Sequence, residues 1–416
     1  MELPDQHARG VSSAEFRSPA LEIDARKPSP LISPDAAAKA GFPAVAHAEF
    51  QEVNALAVGA LLTLFDGATQ LFSNRPLRPQ EVFVHERIVR RDTVIALLGL
   101  RCLDDGGGEH PFHFPSIENA VFEDLRWAAG IGDLGLLLWY AARHAPQRLA
   151  TLLQDCDLQA ALDNSRGARD AHTQDLSCFL AGLAYAKLGG YQAPIDITDL
   201  AVETYQKLTG NQGEDGIFTH RGLRTRLDGW TDGRFGTFTD QAYAIYALTK
   251  FADAFAVDES LGAALDCASA ICALQGPMGE WWWLYDARRG CVACRYPVLA
   301  GTQAGTAPAA LIALQGATGM NFQAPVSKGL RWIFGENELA SDLRELNQSG
   351  ISASLTRDFS GAKYVETVLS LLGISADRMP IRNVRLTHEP AVEHCGWPLY
   401  CFGKFGLKAS PAVVGV

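Results

Sequence analysis

One phrase is written twice in this chain: Gln212, Gly216 and Phe218 in QGEDGIF, then Gln275, Gly279 and Trp281 in QGPMGEW. Both read Gln, three residues, Gly, one residue, aromatic, and both follow an apolar helical run. Such self-similarity means copied helical hairpins, which constrains the architecture before any chemistry is considered. A Gln amide can tie neighbouring backbone, Gly permits a tight reversal and an aromatic ring packs beneath the turn. Gln212 and Gln275 are therefore expected to be structural joints.

Six segments are apolar around much of their circumference: 93–100, 133–142, 175–188, 240–252, 307–317 and 362–373. Helices of that kind are surrounded by other helices. More amphipathic segments such as ITDLAVETYQKLTG and DESLGAALDCASAICALQ lie between them and keep charge on one side. The alternation predicts an all-α fold, an (α/α)6 toroid of about six helical hairpins in which an inner ring is jacketed by outer helices. Thr93, Asp133, Asp175 and Asp240 stand at the starts of inner segments, where a short polar side chain caps free N–H groups and meets the positive end of the helix dipole. Residues 1–48, with scattered Pro, Ser and charge, are expected to be an extended or mobile arm, and 49–416 a single toroid domain.

A formal net charge of -11 argues against a nucleic-acid partner held by a general basic surface. No window approaches the roughly 18 apolar residues of a spanning helix, and the start MELPDQHARG lacks the basic-then-apolar order of a signal peptide, so a cytoplasmic location is expected. Nine cysteines over 416 residues do not make the dense disulfide framework of a small secreted domain.

The repeated phrases, with APAALIALQGATG and KGLRWI after the second, resemble the repeats of squalene-hopene cyclases and the β-domains of class II terpene cyclases over roughly residues 195 to 335. The resemblance implies an α/α toroid with a central cavity; protein prenyltransferases, polysaccharide lyases and sugar epimerases use such toroids too. Those cyclases carry an Asp-rich acid motif at the start of an inner helix, and here the matching stretch is Thr237, Phe238, Thr239, Asp240, Gln241, Ala242. Thr239 stands where the family's proton donor would be, and a hydroxyl is far too weak an acid. Protonation would then fall to Asp240, or to Asp232 or Asp228. The run from GEWWW to APAAL is also similar to a group of bacterial toroid proteins of unassigned function, in which histidines are expected where Leu284 and Thr302 stand here, the latter beside Gln303.

The long connection from His220 to Asp240 gathers His220, Arg221, Arg224, Arg226 and Arg234 beside Asp228, Asp232 and Asp240; it reads as an anion clamp or as a solvated loop of paired charges. Trp281, Trp283 and Tyr285 form an aromatic set suited to carbocations or to sugar rings, with Trp282 packing behind, or simply to a core. His172, with Asp170 and Asp175, precedes an inner helix and can meet Asp240 across a cavity as an acid and base pair. Cys291 and Cys294 form a Cys-x-x-Cys pair, with His388, His394, Cys395 and Cys401 near the end, but no zinc-ligand pattern emerges and no metal is assigned.

Three functional readings follow. The first is a class II-like isoprenoid cyclase with Asp240 as acid, the Trp281, Trp283 and Tyr285 rings stabilising cations, and arginines holding an anionic head; protonation needs no cofactor, and Mg2+ enters only with a diphosphate substrate. The alternative is a carbohydrate-active toroid, an epimerase, lyase or hydrolase, with His172 or His220 as base and the arginines holding a uronate. A non-catalytic binding protein is the third reading. A small-molecule partner, hydrophobic with an anionic head, is expected; oligomeric state is left open.

Overall fold

The computed structural model describes residues 44–74, 82–167, 172–189, 197–222, 233–345, 351, 353–357, 362–376, 383–388 and 391–407. Its helices in chain order are α1 (Ala44–Leu64), α2 (Val82–Asp105), α3 (Phe114–Phe122), α4 (Ile131–His144), α5 (Pro146–Asp155), α6 (Leu158–Gly167), α7 (Thr173–Leu188), α8 (Thr198–Thr209), α9 (Phe238–Phe255), α10 (Asp258–Ala273), α11 (Ala307–Thr318), α12 (Gln323–Ile333), α13 (Ala362–Leu371) and α14 (Glu393–Phe402). Short strands sit between them: β1 (Phe65–Asp66), β2 (Leu71–Phe72), β3 (Phe235–Thr237), β4 (Leu284–Asp286), β5 (Cys291–Cys294), β6 (Val298–Leu299), β7 (Ala353–Arg357) and β8 (Val384–His388). They pair antiparallel as β1-β2, β3-β4-β5 and β6-β7-β8.

Six helices close a ring in the order α2, α4, α7, α9, α11, α14, with α14 packed back onto α2. They run parallel. Arg91 in α2 reaches Asp133 and Asp175 in the first turns of α4 and α7. At the other end Arg143, in the last turn of α4, reaches Tyr400 late in α14, and Tyr185 late in α7 also reaches Tyr400. The remaining long helices jacket this ring, so the chain is an α/α toroid. Among the described residues no helix is long and apolar enough to cross a membrane.

The two repeated phrases are equivalent joints. Gln212 donates to the carbonyls of Gly216 and of Ala263 in α10, and Gln275 donates to those of Gly279 and of Pro325 in α12. Gly216 and Gly279 take φ values of +82° and +102°, the left-handed region where a Cβ is disfavoured. Phe218 and Trp281 are buried beneath their turns.

Inner helices touch closely where glycine permits. A Cβ on Gly182 of α7 would lie 2.3 Å from the Gly135 carbonyl oxygen of α4, and one on Gly99 of α2 would lie 2.3 Å from the Gly396 carbonyl oxygen of α14.

Five of the expected inner segments lie in α2, α4, α7, α9 and α11. The sixth does not. Residues 362–373 fall on α13 and its following turn, where Val365, Val368 and Leu372 are exposed, and the ring is closed by α14, which buries Cys395, Gly396, Trp397, Leu399 and Phe402. α13 is instead docked from outside by a buried ion pair: Glu366 accepts from Arg295 Nη2 at 3.2 Å. Of the expected N-terminal arm, residues 1–43 lie outside the described residues, and α1 begins at Ala44.

Candidate functional site

Because the inner helices are parallel, their first turns form one rim, and the acids that begin them converge there. Arg91 Nη1 lies 3.2 Å from Asp133 Oδ1 and 3.1 Å from Asp175 Oδ1. Next along α2, the nearly buried Asp92 accepts from Asn74 Nδ2 at 3.2 Å. Asn74 Oδ1 in turn accepts from the Val392 N–H at 2.7 Å, which ties Asp92 to the turn that opens α14. Burial, and then the charge of Glu393 in that first turn, push the Asp92 carboxyl up to about 8 against the pull of Arg91.

The other half of the rim is built from α7, α9 and the turn after the first joint. Thr237 caps α9 in a reciprocal box: its side chain accepts from the Asp240 N–H, while Asp240 Oδ2 accepts from the Thr237 N–H at 2.7 Å. Asp240 Oδ2 also accepts from Thr237 Oγ1 and faces His220 Nδ1 at 3.1 Å. His220 Nε2 meets His172 Nδ1 at 2.7 Å, and Arg221 Nη2 meets His172 Nε2 at 3.0 Å. Burial first, then His220 and Arg221, lower the His172 pKa, so this imidazole is held neutral.

Below the rim lies a narrow pocket, partly open to solvent, walled by Trp139, Tyr243, Tyr246 and Trp397, with Ser177, Thr306 and several alanines. Trp139 stacks on Tyr246 at 4.9 Å and 17°, and Trp397 stands edge-on to Tyr243 at 5.3 Å and 85°. Thr306 closes a π-helical turn, Thr302–Thr306, that leads into α11. The hydroxyls of Tyr185, Tyr246 and Tyr400 form a triangle of 2.6, 2.6 and 3.0 Å beneath, and Arg143 Nη1 donates to Tyr400 at 2.7 Å. Trp139 Nε1 and Thr306 Oγ1 are buried at this cavity with no hydrogen-bond partner among the described residues. A buried N–H left in that state is costly unless a ligand atom accepts from it.

The rim unites His172, Asp175, His220, Arg221 and Asp240, as sequence reasoning anticipated in outline. It corrects several roles. The Asp240 carboxyl accepts from the Thr237 N–H and faces His220 Nδ1, so it is engaged at the helix cap and at the rim together. Arg234 is committed to Asp286, donating from Nε at 2.9 Å and Nη2 at 2.6 Å with both side chains buried, so it clamps β3 to β4 and not a substrate. Trp281 and Tyr285 are buried against Phe238 and do not line the cavity; Trp282 is buried too, and Trp283 is half-buried. Asp170, Arg224, Arg226, Asp228 and Asp232 lie outside the described residues.

Gln303 donates to the Gly279 carbonyl at 3.0 Å and accepts from the Trp281 N–H at 2.9 Å, a structural bond at the second joint. Cys291 and Cys294 end strand β5, where the Cys294 thiol donates to the Tyr296 carbonyl; His388 is exposed on β8, and Cys395 and Cys401 are buried in α14. No group of three or more His, Cys, Asp or Glu placed to hold a metal occurs among the described residues.

Sequence reasoning missed Arg91, Asp92, Glu393 and the cavity rings. Arg91 and Asp92 stand where the charged first half of α2 gives way to its apolar run, which was a signal for them, and Trp139, Tyr243, Tyr246 and Trp397 lie inside helices whose apolar character hid them.

No protein-family model matches this chain, and no curated protein matches it. Among solved structures it is similar to an unsaturated glucuronyl hydrolase specific for heparin, with 15% identity and a TM-score of 0.52 over 86% of this chain and 96% of the other. It is also similar to a glycosidase variant, with 11% identity and a TM-score of 0.49 over 88% and 99% of the two chains. At 15% identity the likeness to the glucuronyl hydrolase structure is one of fold, the α/α toroid.

Proposed function

We propose that this chain is a carbohydrate-active enzyme that holds a sugar or uronate ring in the central cavity and performs acid-base chemistry at the rim above it. The observation that carries the reading is the aromatic wall of Trp139, Tyr243, Tyr246 and Trp397 with the unpartnered Trp139 N–H. Aromatic faces stack on the apolar faces of sugar rings, and the indole N–H would donate to a ring hydroxyl. Above the wall, Asp92 retains its proton beside Glu393. Asp92 and Glu393 are the two carboxyl groups that would serve glycoside hydrolysis, which uses such a pair as acid and base. The likeness in fold to a solved glucuronyl hydrolase adds to the reading.

The test is a panel of 4-nitrophenyl glycosides and glucuronides, together with unsaturated uronyl oligosaccharides. Turnover of one class is expected, with loss of at least a hundredfold in Asp92→Asn and Glu393→Gln. No turnover, with no sugar altering tryptophan fluorescence, would sink the reading.

The mostly apolar cavity lining favours a second reading, isoprenoid cyclisation, in which Asp92 rather than Asp240 would be the acid and Mg2+ would accompany a diphosphate head. Product analysis after incubation with prenyl diphosphates separates the two.

A further inference from the structure

His172 and His220 are brought together by backbone and not by chance contact of loose side chains. The Thr173 N–H donates to the His220 carbonyl at 2.9 Å, and the His220 N–H donates to the Phe235 carbonyl at 2.7 Å. Asn211 Nδ2 donates to Thr173 Oγ1 at 2.9 Å from the end of α8. The two imidazoles meet edge to face with 4.5 Å between centroids and 76° between planes.

One proton assignment satisfies every contact along this line. His220 Nδ1–H donates to Asp240, His172 Nδ1–H donates to His220 Nε2, and Arg221 Nη2–H donates to His172 Nε2. Asp240 is itself held by its capping box, so the far end of the line is anchored to the start of α9. The lone pair of His220 faces His172, and that of His172 faces Arg221. His172 is thus a base with its orientation set and its lone pair covered by a cation.

We propose that Arg221 is an anion-operated latch on this base: a sugar carboxylate that draws the guanidinium away uncovers His172 Nε2. The proposal rests on the carbohydrate reading of the same rim for its ligand, a uronate. Arg221 holds the imidazole through Nη2 alone, and a carboxylate that pairs with the Nη2 edge through two parallel N–H bonds competes for that donor. A proton taken by Nε2 leaves an imidazolium whose Nδ1–H still donates to His220. The charged groups that face it are Arg221, which disfavours it, and Asp175 and Asp240, which favour it, with His220 as the neighbouring titratable ring. Uncovering the base therefore also raises its proton affinity, and a neutral sugar leaves it capped.

The experiment is a pH titration of the full chain labelled with 13C at histidine Cε1, with the His172 resonance identified by its loss in His172→Gln. Arg221→Gln is expected to raise the His172 pKa by about one unit, since it removes a neighbouring cation, and Arg221→Lys by less. D-glucuronate should give the same rise in the wild type and none in Arg221→Gln; D-glucose should give none in either. An unmoved His172 in Arg221→Gln overturns the latch, as does saturating glucuronate that leaves the wild-type value unchanged. If Arg221→Gln fails to fold, the wild-type glucuronate arm and Arg221→Lys decide the matter. Turnover of glycosides is scored apart. The Arg221→Gln shift without turnover of any sugar upholds the latch and removes the carbohydrate reading, whereas turnover with an unmoved His172 removes the latch alone.

Discussion

Asp240 Oδ2 lies 3.1 Å from His220 Nδ1 while the same oxygen closes the Thr237 capping box, so one carboxyl group both starts α9 and holds the rim histidines. Asp240→Ala removes both roles and is expected to cost about 1–2 kcal/mol in urea unfolding, within the range of lost helix caps. Thr237→Val, which keeps the shape but loses the hydroxyl, should cost less. The double variant should fall short of the sum, because the two residues share one box. Full additivity would show that the box is not a coupled unit.

Asp92 gives a pH dependence whose direction is fixed. In the unfolded chain this acid loses its proton near about pH 4, whereas in the folded protein it keeps it until about pH 8. Between those values only the native state binds the proton, so stability falls as pH rises. Asp92→Asn should therefore unfold at a higher temperature than the wild type at pH 8 and at nearly the same temperature at pH 4. A difference that is constant across that window would show that Glu393 and burial do not act on Asp92 as described.

The cavity can be probed at one atom. Trp139→Phe keeps an aromatic ring against Tyr246 but deletes the buried N–H, so thermal stability should stay within about 1 kcal/mol of wild type because no hydrogen bond is lost. Affinity for the sugar that the wild type binds should drop roughly three- to tenfold, the worth of one neutral hydrogen bond. Ala309→Leu fills part of the cavity and should reduce binding further while the circular dichroism spectrum is retained. Calorimetric titration measures both, and unchanged affinity in the two variants would place the ligand elsewhere.

Gly182 lies at a close crossing between α7 and α4. A methyl group there would meet the Gly135 carbonyl oxygen, backbone that cannot rotate away. Gly182→Ala is expected to destabilise by more than about 2 kcal/mol, although alanine is the better helix former, because overpacking outweighs propensity. Gly262→Ala, on α10 with open space around it, is the control and should be neutral or stabilising. Equal melting temperatures for the two variants would mean that the ring can relax at that crossing.

Much of the fold was legible because it is written in local pattern. Apolar runs at 93–100, 133–142, 175–188, 240–252 and 307–317 identify buried helices by composition alone, and the doubled Gln-Gly-aromatic phrase identifies the joints, since each needs only its own turn and the next outer helix. The site was legible in part for the same reason: acids at helix starts are a local signal, and parallel inner helices bring them to one rim.

What the chain determined by itself was a succession of helical hairpins with polar residues at one end of each. Which segment completed the ring was decided in three dimensions. Residues 362–373 and α14 are both apolar, but only α14 carries Gly396 where Gly99 of α2 allows two backbones to touch, and that fit joins residues far apart in sequence. The same closure set Glu393 beside Asp92 and turned Trp397 toward Tyr243. Periodicity reports how much of a helix is buried, whereas the neighbour it is buried against depends on long-range packing that no local pattern contains.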